Sequence, residues 1–269
     1  MYMSEKPPSY EKLTKPPKYS IIKMHDRAES HRVSKELTWD LPMRLLIVGK
    51  SLLSGKSNAV GNLLLRPYDT TDKDGMGFYF NDFLGENIFI VCPSTNVDQK
   101  WESILEGKQI PGGNVYNTYD EMELNTLYTK LAKKWHDAED SEPKLVHEQV
   151  LIVFDDMSFG GDLKSKINGV MAKFACNSRQ YLVSVIITAQ KYTDISTTMR
   201  ENASGFMLFN CSYRQKEIIY NDVGEMPKKD FMKMFDQATH EKHSFMVVNY
   251  TNTPDMRFLD QHFQPLTDK

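Results

Sequence analysis

Long apolar runs are missing from this sequence: none approaches the roughly 20 residues that a membrane-crossing helix needs, so no membrane association is expected. Cysteine is scarce. Cys92, Cys176 and Cys211 are odd in number and widely spread, which gives neither a disulfide framework nor a clustered thiolate metal site and fits a reducing compartment. Charge of one sign is missing too. With 33 Lys and Arg against 36 Asp and Glu, the net charge is -3, which excludes a protein that coats nucleic acid by bulk positive charge but leaves room for a local basic loop. The segment 1–19 lacks the apolar stretch of a secretory signal, and the chain is not expected to be secreted. What is present is globular: 40% hydrophobic and 26% charged residues, too apolar and too neutral for a disordered chain. A length of 269 residues accommodates one large domain or two small ones.

Residues 1–40 differ from the rest. Pro7, Pro8, Pro16 and Pro17 alternate with Lys6, Lys12, Lys15 and Lys18; proline fixes φ and removes a donor, so this reads as an extended arm. Residues 41–269 read as one domain. From Met43 onward, short uniformly apolar runs over 44–48, 87–92, 150–154, 183–188, 206–209 and 245–248 alternate with helical patterns over 57–66, 121–135, 163–177, 214–222 and 228–239. Residues 67–86 and 106–118 read as loops or a hairpin. Continuous apolar runs this short suit strands buried on both faces, and their alternation with helices implies an α/β fold with a mostly parallel central sheet and flanking helices.

The first strand runs directly into Val48-Gly49-Lys50-Ser51-Leu52-Leu53-Ser54-Gly55-Lys56-Ser57, and a helical pattern follows. Strand, glycine-containing loop, Lys-Ser and helix make a phosphate-binding loop. Gly49, Lys50, Ser51, Ser54, Gly55, Lys56 and Ser57 are its candidate nucleotide-binding residues: backbone N–H groups and the helix N-terminus wrap phosphates, Lys56 reaches the β- and γ-phosphates, and the Ser57 hydroxyl is placed for Mg²⁺. The usual spacing puts four residues between the glycines; here there are five. Either the loop carries one extra residue, or Lys50 takes the first glycine's place.

The apolar run 150–154 ends in Asp155-Asp156. In a P-loop nucleoside triphosphatase, the first acid at such a strand end holds Mg²⁺ through water and the second deprotonates the attacking water. Neighbouring strand residues point to opposite faces, but at a strand terminus the chain twists out of that rule, so both are expected to address the nucleotide. About a hundred residues separate Lys56 from Asp155, with the apolar run 87–92 between them. That spacing marks the additional-strand, catalytic-acid class of P-loop ATPases. The run 183–188 ends at Ala189-Gln190, where a polar side chain is placed to orient water and report hydrolysis. Arg179 precedes that strand and Arg200 follows it; either is a candidate for stabilising charge on a transferring phosphoryl group, across a subunit interface.

Taken in order, these motifs resemble the FtsK–HerA superfamily, and more closely the genome-packaging ATPases of poxviruses, giant viruses and virophages. The resemblance rests on Leu46-Ile-Val-Gly…Ser54-Gly-Lys-Ser57, Leu151-Ile-Val-Phe-Asp-Asp156, Ser184-Val-Ile-Ile-Thr-Ala-Gln190 and Ser196-Thr-Thr-Met-Arg-Glu-Asn202, and covers 42–250. It implies ATP and Mg²⁺ as cofactors, Lys56 and Ser57 on phosphate and metal, Asp155 on metal, Asp156 as catalytic acid position and Gln190 as sensor. The resemblance does not fix which arginine acts in trans; Arg200 is preferred over Arg179 because it follows the sensor strand by ten residues, far enough to reach the subunit surface, in a segment similar to that family's. The resemblance also implies a homo-oligomeric ring that drives double-stranded DNA into a preformed capsid, with capsid proteins as partners, at work in the virion or in the virus factory of the host cytoplasm. A different translocase or helicase-like ATPase of this fold, and a weakly catalytic nucleotide switch, are the alternative readings. Lys164, Lys166 and Lys173 are either DNA contacts or a solvated helix face.

Overall fold

A computed structural model describes residues 37–50, 54–65, 77–93, 99–141, 147–156 and 169–266. In chain order the elements are β1 (Arg44–Val48), α1 (Lys56–Leu64), β2 (Ile88–Val91), α2 (Gln99–Lys108), β3 (Val115–Tyr116), α3 (Glu121–Glu139), β4 (Val150–Phe154), α4 (Val170–Asn177), β5 (Val183–Ala189), α5 (Thr197–Glu201), β6 (Gly205–Phe209), α6 (Tyr213–Val223), α7 (Lys228–Ala238), β7 (Phe245–Asn249) and β8 (Phe258–Leu259). The eight strands form one sheet in the order β3-β2-β4-β5-β1-β6-β7-β8. Pairing is parallel from β3 through β6 and antiparallel at β6–β7 and β7–β8. The mixed α/β class with a mostly parallel sheet is therefore the one read from the apolar runs. Among the described residues, no helix is long and apolar enough to cross a membrane.

Every residue of β4 and β5 is buried, because helices cover both faces of the sheet. Leu45, Ile47, Ile90, Leu151, Val153 and Ile186 pack against α1 and α2 on one face; Leu46, Val48, Val91, Ile152, Val185 and Ile187 pack against α3 to α7 on the other. That alternation along uniformly apolar strands is why their sequence carries no period of two. Because β1, β4 and β5 are parallel, their C-terminal ends and the loops that follow share one edge of the sheet, where ligands bind in open α/β folds.

Three readings of the sequence change. The apolar run 87–92 lies between the loop strand and the acidic strand in sequence but not in the sheet. The strand that separates β1 from β4 is β5, the sensor strand, and β2 lies on the outer side of β4. The region 106–118 holds the end of α2, a short 3-10 turn and the edge strand β3 rather than a hairpin. The stretch 37–40 belongs to the core and not to the arm. Trp39 is 0% exposed, its indole Nε1 donates to the Val248 carbonyl at 3.2 Å, its carbonyl accepts from Tyr79 Oη at 2.8 Å, and its ring meets Phe263 edge-on at 5.7 Å. Trp39→Ala should cost about 3–5 kcal/mol, the range for emptying a buried aromatic site, read from the denaturant midpoint. A chain beginning at Leu37 should keep the wild-type midpoint and one beginning at Leu41 should not. Equal midpoints for the two truncations would show that Trp39 contributes nothing to the core.

Candidate nucleotide site

Gly49 leaves the end of β1, with its N–H donating to the Ala189 carbonyl at 3.0 Å. A Cβ there would lie 2.4 Å from Ser54 Cβ and 2.9 Å from Phe209 Cβ, so only glycine lets the two sides of the loop approach. Lys50, in contrast, is exposed, and its carbonyl accepts from Ser54 Oγ at 2.8 Å. The close approach to Ser54 thus falls on Gly49 and not on Lys50. Ser51, Leu52 and Leu53 lie outside the described residues. The loop closes at Gly55, whose φ of 80° caps α1 without a side chain, leaving the first N–H groups of α1 unsatisfied by the helix. Lys56 Nζ bends back to donate to the Gly49 carbonyl at 2.9 Å. Burial pushes its pKa below the ordinary lysine value, while Asp156 and then Asp155 pull it up and Lys100 pushes it down. Both acids thus act on the phosphate-loop lysine.

Asp155 is 4% exposed. Its carboxylate accepts from Thr188 Oγ1 at 2.6 Å, from Trp101 Nε1 at 2.9 Å and, weakly, from Cys92 Sγ at 3.5 Å. Donors from three separate stretches of the chain fix it in a place where an unpaired carboxylate would be costly. Asp156 escapes the strand alternation by a left-handed backbone, φ 51°, a conformation that Asp tolerates better than most residues. Its N–H donates to Thr188 Oγ1 at 3.1 Å, and its Oδ1 accepts from Gln190 Nε2 at 3.0 Å. One hydroxyl, Thr188, therefore bridges both acids from the neighbouring strand, and Gln190 reaches the second.

The structure accordingly brings Gly49, Ser54, Gly55, Lys56, Ser57, Asp155, Asp156 and Gln190 to one edge. Arg179 and Arg200 lie elsewhere. Arg179 sits in the turn before β5, separated from Gln190 by the length of that strand, about 20 Å at 3.3 Å per residue. Its neighbour Leu182 accepts from Val150, the first residue of β4, so Arg179 is at the opposite edge, and it is exposed. Arg200 is two residues from Asn202, which accepts from Arg44 at the start of β1. Its guanidinium pairs with Asp222, donates to Thr197 Oγ1 at 3.1 Å and lies 4.7 Å over the Tyr192 ring, with the side chain 13% exposed. Sequence reasoning gave no role to Thr188, Trp101 or Cys92. Thr188 reads as an ordinary β-former within its strand, and Trp101 lies on a helix that the apolar pattern did not reveal. Lys164 and Lys166 lie outside the described residues; Lys173 donates to Asn125 Oδ1 at 2.8 Å.

Two cavities flank the phosphate loop. One of about 400 Å³ is lined by Lys50, Ser54, Phe209, His240, Glu241 and His243 among others, on the β6–β7 side of β1. The other, of about 500 Å³, is lined by Lys50, Gln190, Lys191, Cys211, Arg214 and Gln215 among others.

Comparison with known proteins gives a family and a fold. The model of a family described as Poxvirus A32 protein matches residues 112–254, more than half of the chain; the match includes both acids, Gln190 and both arginines and begins after the phosphate loop. Among solved structures, the genome packaging NTPase B204 from Sulfolobus turreted icosahedral virus 2 in complex with AMP superposes with a TM-score of 0.52 at 11% identity, over 77% of this chain and 92% of that one. The same protein in complex with sulfate gives 0.50 at 13% identity, over 77% and 91%. At these identities the likeness is one of fold. No curated protein sequence matches the chain.

Proposed function

Since the chain belongs to the Poxvirus A32 protein family, we propose that it is an ATP-hydrolysing motor that drives double-stranded viral DNA into a preformed capsid. The observation that carries the reading is the convergence of Lys56, Asp155, Asp156 and Gln190 on one sheet edge, with Thr188 tying the two acids together. The structures named above, with AMP and with sulfate, support a nucleotide as ligand.

The phosphates lie on the first turn of α1, where unsatisfied N–H groups meet anions. Lys56 exchanges the Gly49 carbonyl for the β- and γ-phosphates, which also restores an ammonium that burial disfavours. The nucleoside enters the cavity beside Phe209, His240 and His243, on the side of the loop away from the acids. Mg²⁺ fits the donors present: the Asp155 carboxylate and the Ser57 hydroxyl are hard oxygen ligands, and such an ion retains waters and is completed by substrate phosphates. When bound it neutralises developing charge on the phosphates. Asp156, oriented by Gln190, accepts a proton from the attacking water as the water oxygen bonds to the γ-phosphorus and the bond to the ADP oxygen breaks. Through the same amide, Gln190 senses whether that water and phosphate are present.

The site lies at the sheet edge and needs a cation from a neighbouring subunit, which favours a homo-oligomeric ring. Exposure favours Arg179 for that cation, a reversal of the preference read from the sequence. Capsid protein is the docking partner in this reading, the virus factory or virion is the place of work, and the segment before Leu37 is dispensable for nucleotide binding. The test is ATP hydrolysis with and without duplex DNA. A motor should hydrolyse faster with duplex present. Hydrolysis indifferent to DNA would sink the packaging reading, and binding without turnover would instead favour the nucleotide switch.

A further inference from the structure

The second cavity beside the phosphate loop gathers cations. Lys50, Lys191 and Arg214 line it together with Gln190, the sensor amide. Two walls form it: the loop and the chain leaving β5 on one side, and the first turn of α6 on the other. These walls are tied. The Thr193 N–H donates to Gln215 Oε1 at 3.3 Å, and Gln215 Nε2 donates back to Thr193 Oγ1 at 3.3 Å. Arg214, adjacent to Gln215, is therefore carried at a set distance from a segment that begins at Gln190.

Arg214 is exposed and differs from the basic side chains that tie α6 to its surroundings. Arg200, Lys216, Lys228 and Arg257 each hold an ion pair, with Asp222, Asp236, Glu217 and Glu225. Arg214 has no ion pair or hydrogen bond through its guanidinium among the described residues. Fold stability does not account for it. It is the second residue of α6, a helix with no acid in its first turn, and a cation there opposes the helix dipole. What the position offers is a long, unpaired, bidentate donor facing a cavity that shares Lys50 with the phosphate loop and Gln190 with the catalytic acid.

We infer that Arg214 is a second cation for the γ-phosphoryl group, supplied by the same subunit and reaching across this cavity as charge develops on the transferring oxygens. The inference rests on the ATPase reading above and adds a residue that none of the sequence motifs contains. It is separate from the trans arginine: Arg214 lies at its own subunit's nucleotide edge, whereas Arg179 lies at the far one.

The experiment compares wild type with Arg214→Ala and Arg214→Lys for ATP turnover, for affinity to ADP, for affinity to ADP with aluminium fluoride, and for thermal midpoint. In Arg214→Ala, ADP affinity should stay within about twofold, turnover should fall on the order of a hundredfold, and affinity for the aluminium fluoride complex should fall at least about tenfold. Arg214→Lys should recover part of both losses. The melting midpoint should hold or rise, since the variant removes a cation from a helix N-terminus. Turnover and aluminium fluoride affinity both equal to wild type would overturn the inference, as would an equal loss of ADP and aluminium fluoride affinity, which signals uniform binding. A wild type that binds ADP and hydrolyses nothing overturns the ATPase reading and this inference with it. A wild type that hydrolyses ATP beside an equally active Arg214→Ala overturns this inference alone.

Discussion

Asp156→Asn should bind ATP and ADP within a few-fold of wild type and turn ATP over about two to four orders of magnitude more slowly, the range for removing a general base. Asn keeps the shape of Asp and its tolerance of the left-handed backbone at φ 51°. Its amide oxygen still accepts from Gln190 Nε2, which stands at 3.0 Å from Oδ1, and the backbone N–H still meets Thr188. What is lost is the capacity to take a proton. Binding should hold, or tighten, because the substitution removes one negative charge from beside the phosphates. Lys56→Ala should behave oppositely and lose binding, because the phosphates then lose their principal point charge. Calorimetry for affinity and single-turnover hydrolysis for rate separate the two. Asp156→Asn at the wild-type rate would move the base elsewhere.

Much of this site can be read from local sequence because each part needs only its own strand end. The phosphate loop that opens at Gly49, the pair Asp155-Asp156, and Gln190 each follow directly on an apolar run, and parallel strands bring their C-terminal ends to one edge. What local sequence does not carry is lateral order and long-range pairing. The sensor strand lies between β1 and β4 although it comes after both in the chain. The segment that becomes α2 buries only Trp101 and Ile104 among its apolar residues, so its stripe is too thin to read, and with it the indole on Asp155 stays hidden. Trp39 is a single aromatic residue at the end of a Lys/Pro-rich segment, and its partners Tyr79, Val248 and Phe263 lie scattered over the remaining chain. The Arg200–Asp222 pair joins α5 to α6; nothing near Arg200 in sequence announces that its charge is already matched.

Under the function proposed above, that pairing favours Arg179 over Arg200. A cation acting on a neighbour's γ-phosphate must leave its own subunit with its guanidinium available. Arg200 would have to give up Asp222, Thr197 and the face of Tyr192. Arg179 is exposed, on a short 3-10 turn between α4 and β5, at the edge of the sheet opposite its own candidate nucleotide site. The proposal requires a head-to-tail ring in which that edge of one subunit faces the nucleotide edge of the next. Arg179→Ala should therefore bind ATP normally and lose roughly 10³- to 10⁵-fold in turnover, the range for removing an arginine supplied in trans. Arg200→Ala should instead lower the folding free energy by about 1–2 kcal/mol, from an ion pair with an exposed acid and a cation–π contact, and retain most of its turnover at temperatures where it is folded. Mixing tests the trans geometry directly. Arg179→Ala subunits keep Asp156, and Asp156→Asn subunits keep Arg179, so a ring containing both has interfaces that join an intact acid to an intact arginine. Activity should appear on mixing two inactive proteins and peak near equal proportions. If rings shown to exchange subunits stay inactive at every ratio, Arg179 does not act in trans. If Arg200→Ala keeps its melting point, loses turnover and is rescued by Asp156→Asn, the segment at 196–202 supplies the cation after all.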